Sequence, residues 1–238
     1  MSATNHEICV VALAEAFRGD GEILASPMGA VPLLAARLAR ATFAPDLLMS
    51  DGVATLVDAD GNPEGLINYR RVFDVVWAGK RHVIMGAAQI DRFGNQNISA
   101  VGDWARPKVQ LLGVRGAPGN TINHATSYWV PKHSKRVFVP RVDVVSGLGT
   151  DKARALGKGG RFHAIRCVVS NLGVFDFAGA DGAMRIVSLH PDVSLDAVVE
   201  GTGFPVEIPD TVATTPLPTD DQLSLLRRLQ DPTPGSLA

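Results

Sequence analysis

The sequence predicts an α/β protein with an open, mainly parallel sheet flanked by helices. Three observations carry this expectation. Over the first fifty residues, helix signals and short apolar runs alternate in the order α-β-α-β, the pattern of parallel strands joined by crossover helices. Further β-rich runs recur through to residue 189. Finally, 24 glycines and 15 prolines are spread along 238 residues, which suits many strand–loop transitions better than a helical bundle.

The elements follow in order. Thr4-Asn-His-Glu7 has capping-box spacing ahead of Ile8, Val11, Ala12 and Phe17, and opens a helix that stops at Gly19-Asp20-Gly21. Residues 22–25 read as a strand. Ser26-Pro-Met-Gly-Ala30 is a turn into a second helix with Leu33, Leu34, Leu38 and Ala41 on its apolar side. Residues 46–50 form the next strand, which ends in a turn at Asp51-Gly52. Strand-like runs then cover 82–90, 108–114, 135–142, 162–169, 173–177 and 184–189. Residues 194–200 read as a short helix closed by Gly201. Thr219-Asp-Asp-Gln222 is a second capping box, opening a last helix on Leu223, Leu226 and Leu229. No stretch has linker composition, so residues 1–230 read as a single domain, and the patternless 231–238 read as a mobile tail.

Composition excludes several classes. The formal net charge of −1 gives no global field for nucleic acid or an acidic membrane. Cys9 and Cys167 sit in apolar surroundings and read as reduced core residues. No Cys/His cluster has zinc-ligand spacing, so no metal is expected. The amino terminus lacks a signal-peptide pattern and no apolar run reaches membrane-spanning length. The expectation is a soluble, cytoplasmic protein.

The most informative stretch is Gln89-Ile-Asp-Arg-Phe-Gly-Asn-Gln-Asn97, which closes an apolar run. Gly94-Asn95 supplies a turn, but six of these nine positions (Gln89, Asp91, Arg92, Asn95, Gln96, Asn97) carry hydrogen-bonding side chains. That is more than a reversal of direction requires. Gln89, Asp91, Asn95 and Asn97 either contact a substrate or rigidify the turn. Adjacent Asp91 and Arg92 face opposite ways in an extended segment. A second glycine-rich loop, Gly113-Val-Arg-Gly-Ala-Pro-Gly-Asn-Thr-Ile-Asn123, follows the next run. Paired polar loops at successive strand ends are how α/β proteins build a site. Glycines there let the backbone approach a ligand and aim N–H groups at developing charge, while Pro118 removes one donor.

Other candidates are weaker. Asp51, within Ser50-Asp51-Gly52 at a strand end, is either a carboxylate presented to a ligand or an Asx-turn or helix cap. His124 lies just after the glycine-rich loop and is a candidate acid–base group, whereas His190 in Leu-His-Pro reads as structural. The basic segment Trp129-Val-Pro-Lys-His-Ser-Lys-Arg136, with Arg141, is either a phosphate holder or a solvated loop. Lys152 and Arg154 after Gly147-Leu-Gly149 are candidates to meet a phosphate at a helix start. Neither that run nor Gly157-Lys-Gly-Gly160 has Walker A spacing, and no serine lies in Gly-x-Ser-x-Gly.

On the residues 86–97, with Asn171-Leu-Gly-Val-Phe-Asp-Phe177, Leu189-His-Pro-Asp192 and Thr202-Gly-Phe204, the chain resembles the β subunits of family I coenzyme A transferases over roughly residues 5–230. Within them it is most similar to β subunits of actinobacterial hydrolases that open a steroid ring held as a CoA thioester. The resemblance implies the fold above and an α subunit of the same fold, with the site between them, commonly in an α2β2 assembly. It implies an acyl-CoA substrate, with coenzyme A as part of that substrate and no further cofactor. It places Ser50, Asp51 and Gly52 where transferases carry a nucleophilic glutamate, and Gly116, Gly119 and Asn120 around the thioester. Aspartate is one methylene shorter than glutamate, and a shift of about 1 Å costs about a hundredfold in rate. The implied chemistry is therefore hydrolysis: a carboxylate base, Asp51 or a group on the partner, directs water to a cyclic β-keto acyl-CoA, which opens by retro-Claisen C–C cleavage. Alternatives are a CoA transferase that uses Asp51, and a non-catalytic scaffold.

Overall fold

The structure is a computed structural model, and it describes residues 2–50, 55–67, 71, 74 and 81–230. The expected tail, 231–238, lies outside the described residues. The chain groups into two compact units, residues 1–82 with 216–238, and residues 83–215.

The first unit begins with helix α1 (Asn5–Ala14). Its capping box is fully formed: Thr4 Oγ1 accepts from the Glu7 backbone N–H at 3.2 Å, and the Glu7 carboxylate accepts from the Thr4 N–H at 2.8 Å. Strand β1 (Leu24–Pro27) is followed by helix α2 (Ala30–Thr42), which buries Leu34, Ala35, Leu38 and Ala39. Short strands β2 (Met49–Ser50), β3 (Thr55–Val57) and β4 (Pro63–Leu66) form an antiparallel meander.

The second unit carries most of the central sheet. Its strands are β5 (Arg81–Gly86), β6 (Gln89–Ile90), β7 (Gln96–Asn97), β8 (Ala100–Asp103), β9 (Arg106–Gln110), β10 (Ala125–Val130), β11 (Ala164–Ser170), β12 (Gly173–Asp176), β13 (Arg185–Leu189) and β14 (Ala213–Thr214). Its helices are α3 (Ala117–Asn123), α4 (Thr150–Ala155) and α5 (Leu195–Gly201). The order across the sheet is β5-β10-β11-β12-β13-β14. β10 and β11 run parallel, as do β13 and β14, while β12 runs antiparallel to both β11 and β13. The β-branched and aromatic residues of these strands meet α3 and α5 in a core that includes Tyr128, Phe138, Val168, Phe175, Ile186 and Phe204. Helix α6 (Asp220–Gln230) returns the chain to the first unit, burying Leu223, Leu226 and Leu229, and its Arg227 pairs with Glu7 at 2.6 Å.

Three expectations need correction. The run 82–90 is not one strand: β5 ends at Gly86, and β6 pairs instead with β7 in a small hairpin. The run 135–142 forms no strand and contributes only a bridge from Phe138 to Ile90. The glycine-rich segment is partly helical, because Gly116 serves as N-cap and Pro118 falls in the first turn of α3, where its missing N–H is no loss.

Candidate active site

The polar turn is a closed hydrogen-bond network. Asp91, 6% exposed, accepts from the backbone N–H groups of Phe93 and Asn95, both at 3.0 Å, and from Asn95 Nδ2. Asn95 Nδ2 also donates to Asp151 at 2.9 Å, and Asn95 Oδ1 accepts from the Gly149 N–H at 2.9 Å. Gln89 Oε1 accepts from Asn97 Nδ2 at 2.7 Å and from the Asp143 N–H at 3.0 Å, while its Nε2 donates to Asp143 Oδ2. Asn97 Oδ1 accepts from the Ser99 N–H. Gln96 donates to the Gly86 carbonyl, and its buried Oε1 has no hydrogen-bond partner among the described residues. Burial, reinforced by the nearby Asp151 carboxylate, raises the Asp91 carboxyl above its ordinary range, against the hydrogen bonds from Asn95 and Phe93. Of the neighbouring pair, Asp91 faces in and Arg92 is exposed, as alternation requires.

Gln89, Asp91, Asn95 and Asn97 are candidates for substrate contact on the sequence. The structure turns all four side chains inward, where they brace the turn. Gly94 is needed there twice over. Its φ is 79°, and an added Cβ would lie 2.7 Å from Ile165 Cδ1 and from Phe177 Cζ.

A belt of residues 143–151 closes the network from outside. Gln96 exchanges backbone hydrogen bonds with Ser146 and Gly147, and Ser146 Oγ accepts from the Ile98 N–H. At Gly149 a Cβ would come within 2.3 Å of the Phe93 carbonyl oxygen. The belt then opens α4, whose first N–H groups are taken by Asn95 Oδ1 and the Phe93 carbonyl. Two of the N–H donors at this helix start are therefore occupied from within the fold. Lys152 itself is 45% exposed and lies 4.0 Å from Asp151. Sequence reasoning missed Asp143, Ser146 and Asp151 as members of this network. The glycines at 147 and 149 were the available signal, since paired glycines mark close backbone approach as readily as phosphate binding.

The glycine-rich loop behaves differently. Gly113 and Arg115 have positive φ (85° and 46°), so the loop is tightly wound before α3. Gly116 and Gly119 are exposed, and a Cβ at 119 would meet nothing within 4 Å. Asn120 is 5% exposed and directs Nδ2 at Met85 Sδ, 3.6 Å away, which ties the loop to the end of β5. His124, 1% exposed, ends α3 and is enclosed rather than presented. Ser50 is half-buried at the end of β2, and Asp51 and Gly52 lie outside the described residues. Buried His190 holds Thr215 and the Ser170 carbonyl through its two ring nitrogens, the structural role expected of it. Burial pushes the Cys9 thiol up to about 12 and the Cys167 thiol up to about 11, so neither is poised as a nucleophile. Among the described residues there is no cluster of His, Cys, Asp and Glu able to hold a metal, and no helix is long and apolar enough to cross a membrane.

No family model matches the chain. The IpdB subunit of the cholesterol ring-cleaving hydrolase of Rhodococcus jostii is 52% identical over 235 residues, which cover 96% of this chain and 93% of that one. The chain belongs to the IpdB family. The crystal structure of Rhodococcus jostii IpdAB superposes on this IpdB-family chain with a TM-score of 0.91, at 52% identity, covering 95% of this chain and 94% of that one. A more distant relative, from the 3-oxoadipate CoA-transferase of Pseudomonas knackmussii, is 30% identical over 250 residues, or 97% of this chain and 95% of that one. The coenzyme A transferase-type fold and the IpdB-like character read from residues 86–97 are thereby borne out.

Proposed function

We propose that this chain is the β subunit of a heteromeric hydrolase that opens the ring of a cyclic β-keto acyl-CoA in steroid degradation, in the cytoplasm and without a further cofactor. The observation that carries the reading is the 52% identity to an IpdB subunit across 96% of the chain. An α subunit of the same fold completes the site, in an α2β2 assembly. The exposed backbone of Gly116 and Gly119 lies against the thioester, with Asn120 and His124 holding that loop in place. Asp51, with its sequence neighbours Ser50 and Gly52, supplies a candidate base, and Lys152 adds positive charge.

The reaction needs no covalent acyl-enzyme. A base, Asp51 or a carboxylate of the partner, takes a proton from water as the oxygen bonds to the ring ketone carbon. The tetrahedral carbon collapses to a carboxylic acid and the ring C–C bond breaks. Its electron pair passes to the α-carbon and into the thioester carbonyl as an enolate, which then takes a proton. Backbone N–H groups of the glycine-rich loop stabilise that oxyanion.

The test is turnover of a cyclic β-keto acyl-CoA by the co-purified complex in 18O-water. One 18O atom should enter the new carboxylate, with no CoA adduct on the protein. CoA exchange into a second acid would identify a transferase instead. Asp51→Ala with turnover and affinity unchanged would move the base to the partner.

A further inference from the structure

We propose that the cleft formed by Lys132, Ser134, Lys135, Arg136 and Glu200 over a floor of His133 binds the phosphate groups of coenzyme A. This rests on the reading of the substrate as a CoA thioester and deepens it by placing the phosphate end. The cleft has a volume of about 540 Å³, within the range of small-molecule sites.

Its charge is the first argument. Lys132, Lys135 and Arg136 are exposed, and none forms an ion pair or side-chain hydrogen bond among the described residues. Among the described residues Glu200 is the only acid in the lining, and it pairs with none of them. Three cations less one carboxylate leave +2 in the cleft, in a chain whose total is −1. Like charges held within five residues repel one another until an anion arrives. The pyrophosphate and 3′-phosphate of coenzyme A bring several negative charges and many acceptor oxygens, which suit Lys and Arg donors.

Rigidity is the second. The His133 N–H donates to Asn171 Oδ1 at 2.7 Å, and the ring nitrogens meet Ser170 Oγ at 3.0 Å and Thr202 Oγ1 at 2.9 Å. The ring stacks on Phe138 with centroids 3.7 Å apart. The Ser134 carbonyl accepts from the N–H groups of both Val137 and Phe138, which fixes the turn that carries the cations. On the facing wall, a Cβ at Gly201 would lie 3.0 Å from His133 Cδ2. Burial holds the His133 imidazole down at about 4, so the floor is neutral at physiological pH and the charge lies at the rim.

Position is the third. The segment leaves the carboxyl end of β10 beside the end of the parallel strand β11, the edge at which α/β sheets receive ligands. It then joins the polar turn: the Ile90 N–H donates to the Val137 carbonyl at 2.7 Å, and the Val139 N–H to the Ile90 carbonyl at 3.0 Å.

The experiment titrates the intact complex with coenzyme A, pantetheine and inorganic phosphate by calorimetry, for the wild type, Lys135→Ala/Arg136→Ala and Arg136→Lys. Coenzyme A should bind the double variant roughly tenfold or more weakly, the scale of losing charge-assisted hydrogen bonds. Pantetheine, which has no phosphate, should bind both equally, and Arg136→Lys should retain most of the affinity. Unfolding midpoints should not move, since the side chains are exposed; if the double variant is unstable, Lys135→Glu replaces it. Unchanged coenzyme A affinity in the double variant overturns the proposal, and with wild-type turnover of CoA thioesters it does so without touching the functional reading. Loss of inorganic phosphate alone would mark a general anion site and also overturn it. Failure of the wild-type complex to bind coenzyme A would sink both.

Discussion

The polar turn at 89–97 and the basic cleft at 132–136 are stitched together at Ile90 and are both dense in polar side chains, yet they are built oppositely. In the turn, Asp91, Asn95, Asn97 and Gln89 are buried and bonded to one another and to the 143–151 belt. In the cleft, Lys132, Lys135 and Arg136 are exposed and carry no internal partner among the described residues. A hydrogen-bonding group already satisfied inside the fold stabilises it, whereas one left unsatisfied at the surface is available to a ligand. Polarity alone does not separate the two cases.

The largest test of this contrast is Asn95→Ala. It removes the bridge between Asp91, Asp151 and the Gly149 N–H and leaves a buried carboxylate short of donors, so unfolding free energy should fall by about 3–5 kcal/mol. A urea midpoint close to wild type would show that the network is not a brace. Next is acidification beneath the cleft. His133 titrates at about 4 in the fold against 6.5 unfolded. The unfolded chain therefore binds the extra proton first, and stability that is complete above pH 6.5 is lost as the pH falls towards 4 and then levels off. The effect is on the order of 3 kcal/mol, and His133→Phe should flatten that part of the pH profile. Gly94→Ala follows, at about 2–3 kcal/mol, because a φ of 79° and 2.7 Å contacts with Ile165 and Phe177 cannot both be relieved. Smallest is Lys135→Ala/Arg136→Ala, expected within about 0.5 kcal/mol of wild type. A large loss there would reveal the cleft as structural.

What was legible in the sequence was local. The capping boxes at Thr4/Glu7 and Thr219/Gln222 lie within one turn of helix, and both form as read. The alternation that announced the α/β class is equally short-range. The roles within the polar turn were not legible, because the residues that close it, Asp143, Ser146 and Asp151, stand about fifty positions downstream and reach it only through the fold. The α3 helix was missed for a different reason. It spans seven residues, Ala117–Asn123, too few to show a helical period, and it contains the glycine and proline that ordinarily mark a loop. The 135–142 run has strand composition, but its backbone folds into the Ser134 turn and spares only Phe138 for pairing with Ile90.

The seam where Gly149 presses on Phe93 has a consequence for how such a chain can change over generations. It has no room for an added carbon, so substitutions there threaten folding before they can alter what the protein prefers to bind. Change is tolerated instead where new atoms find open space, as at Gly119.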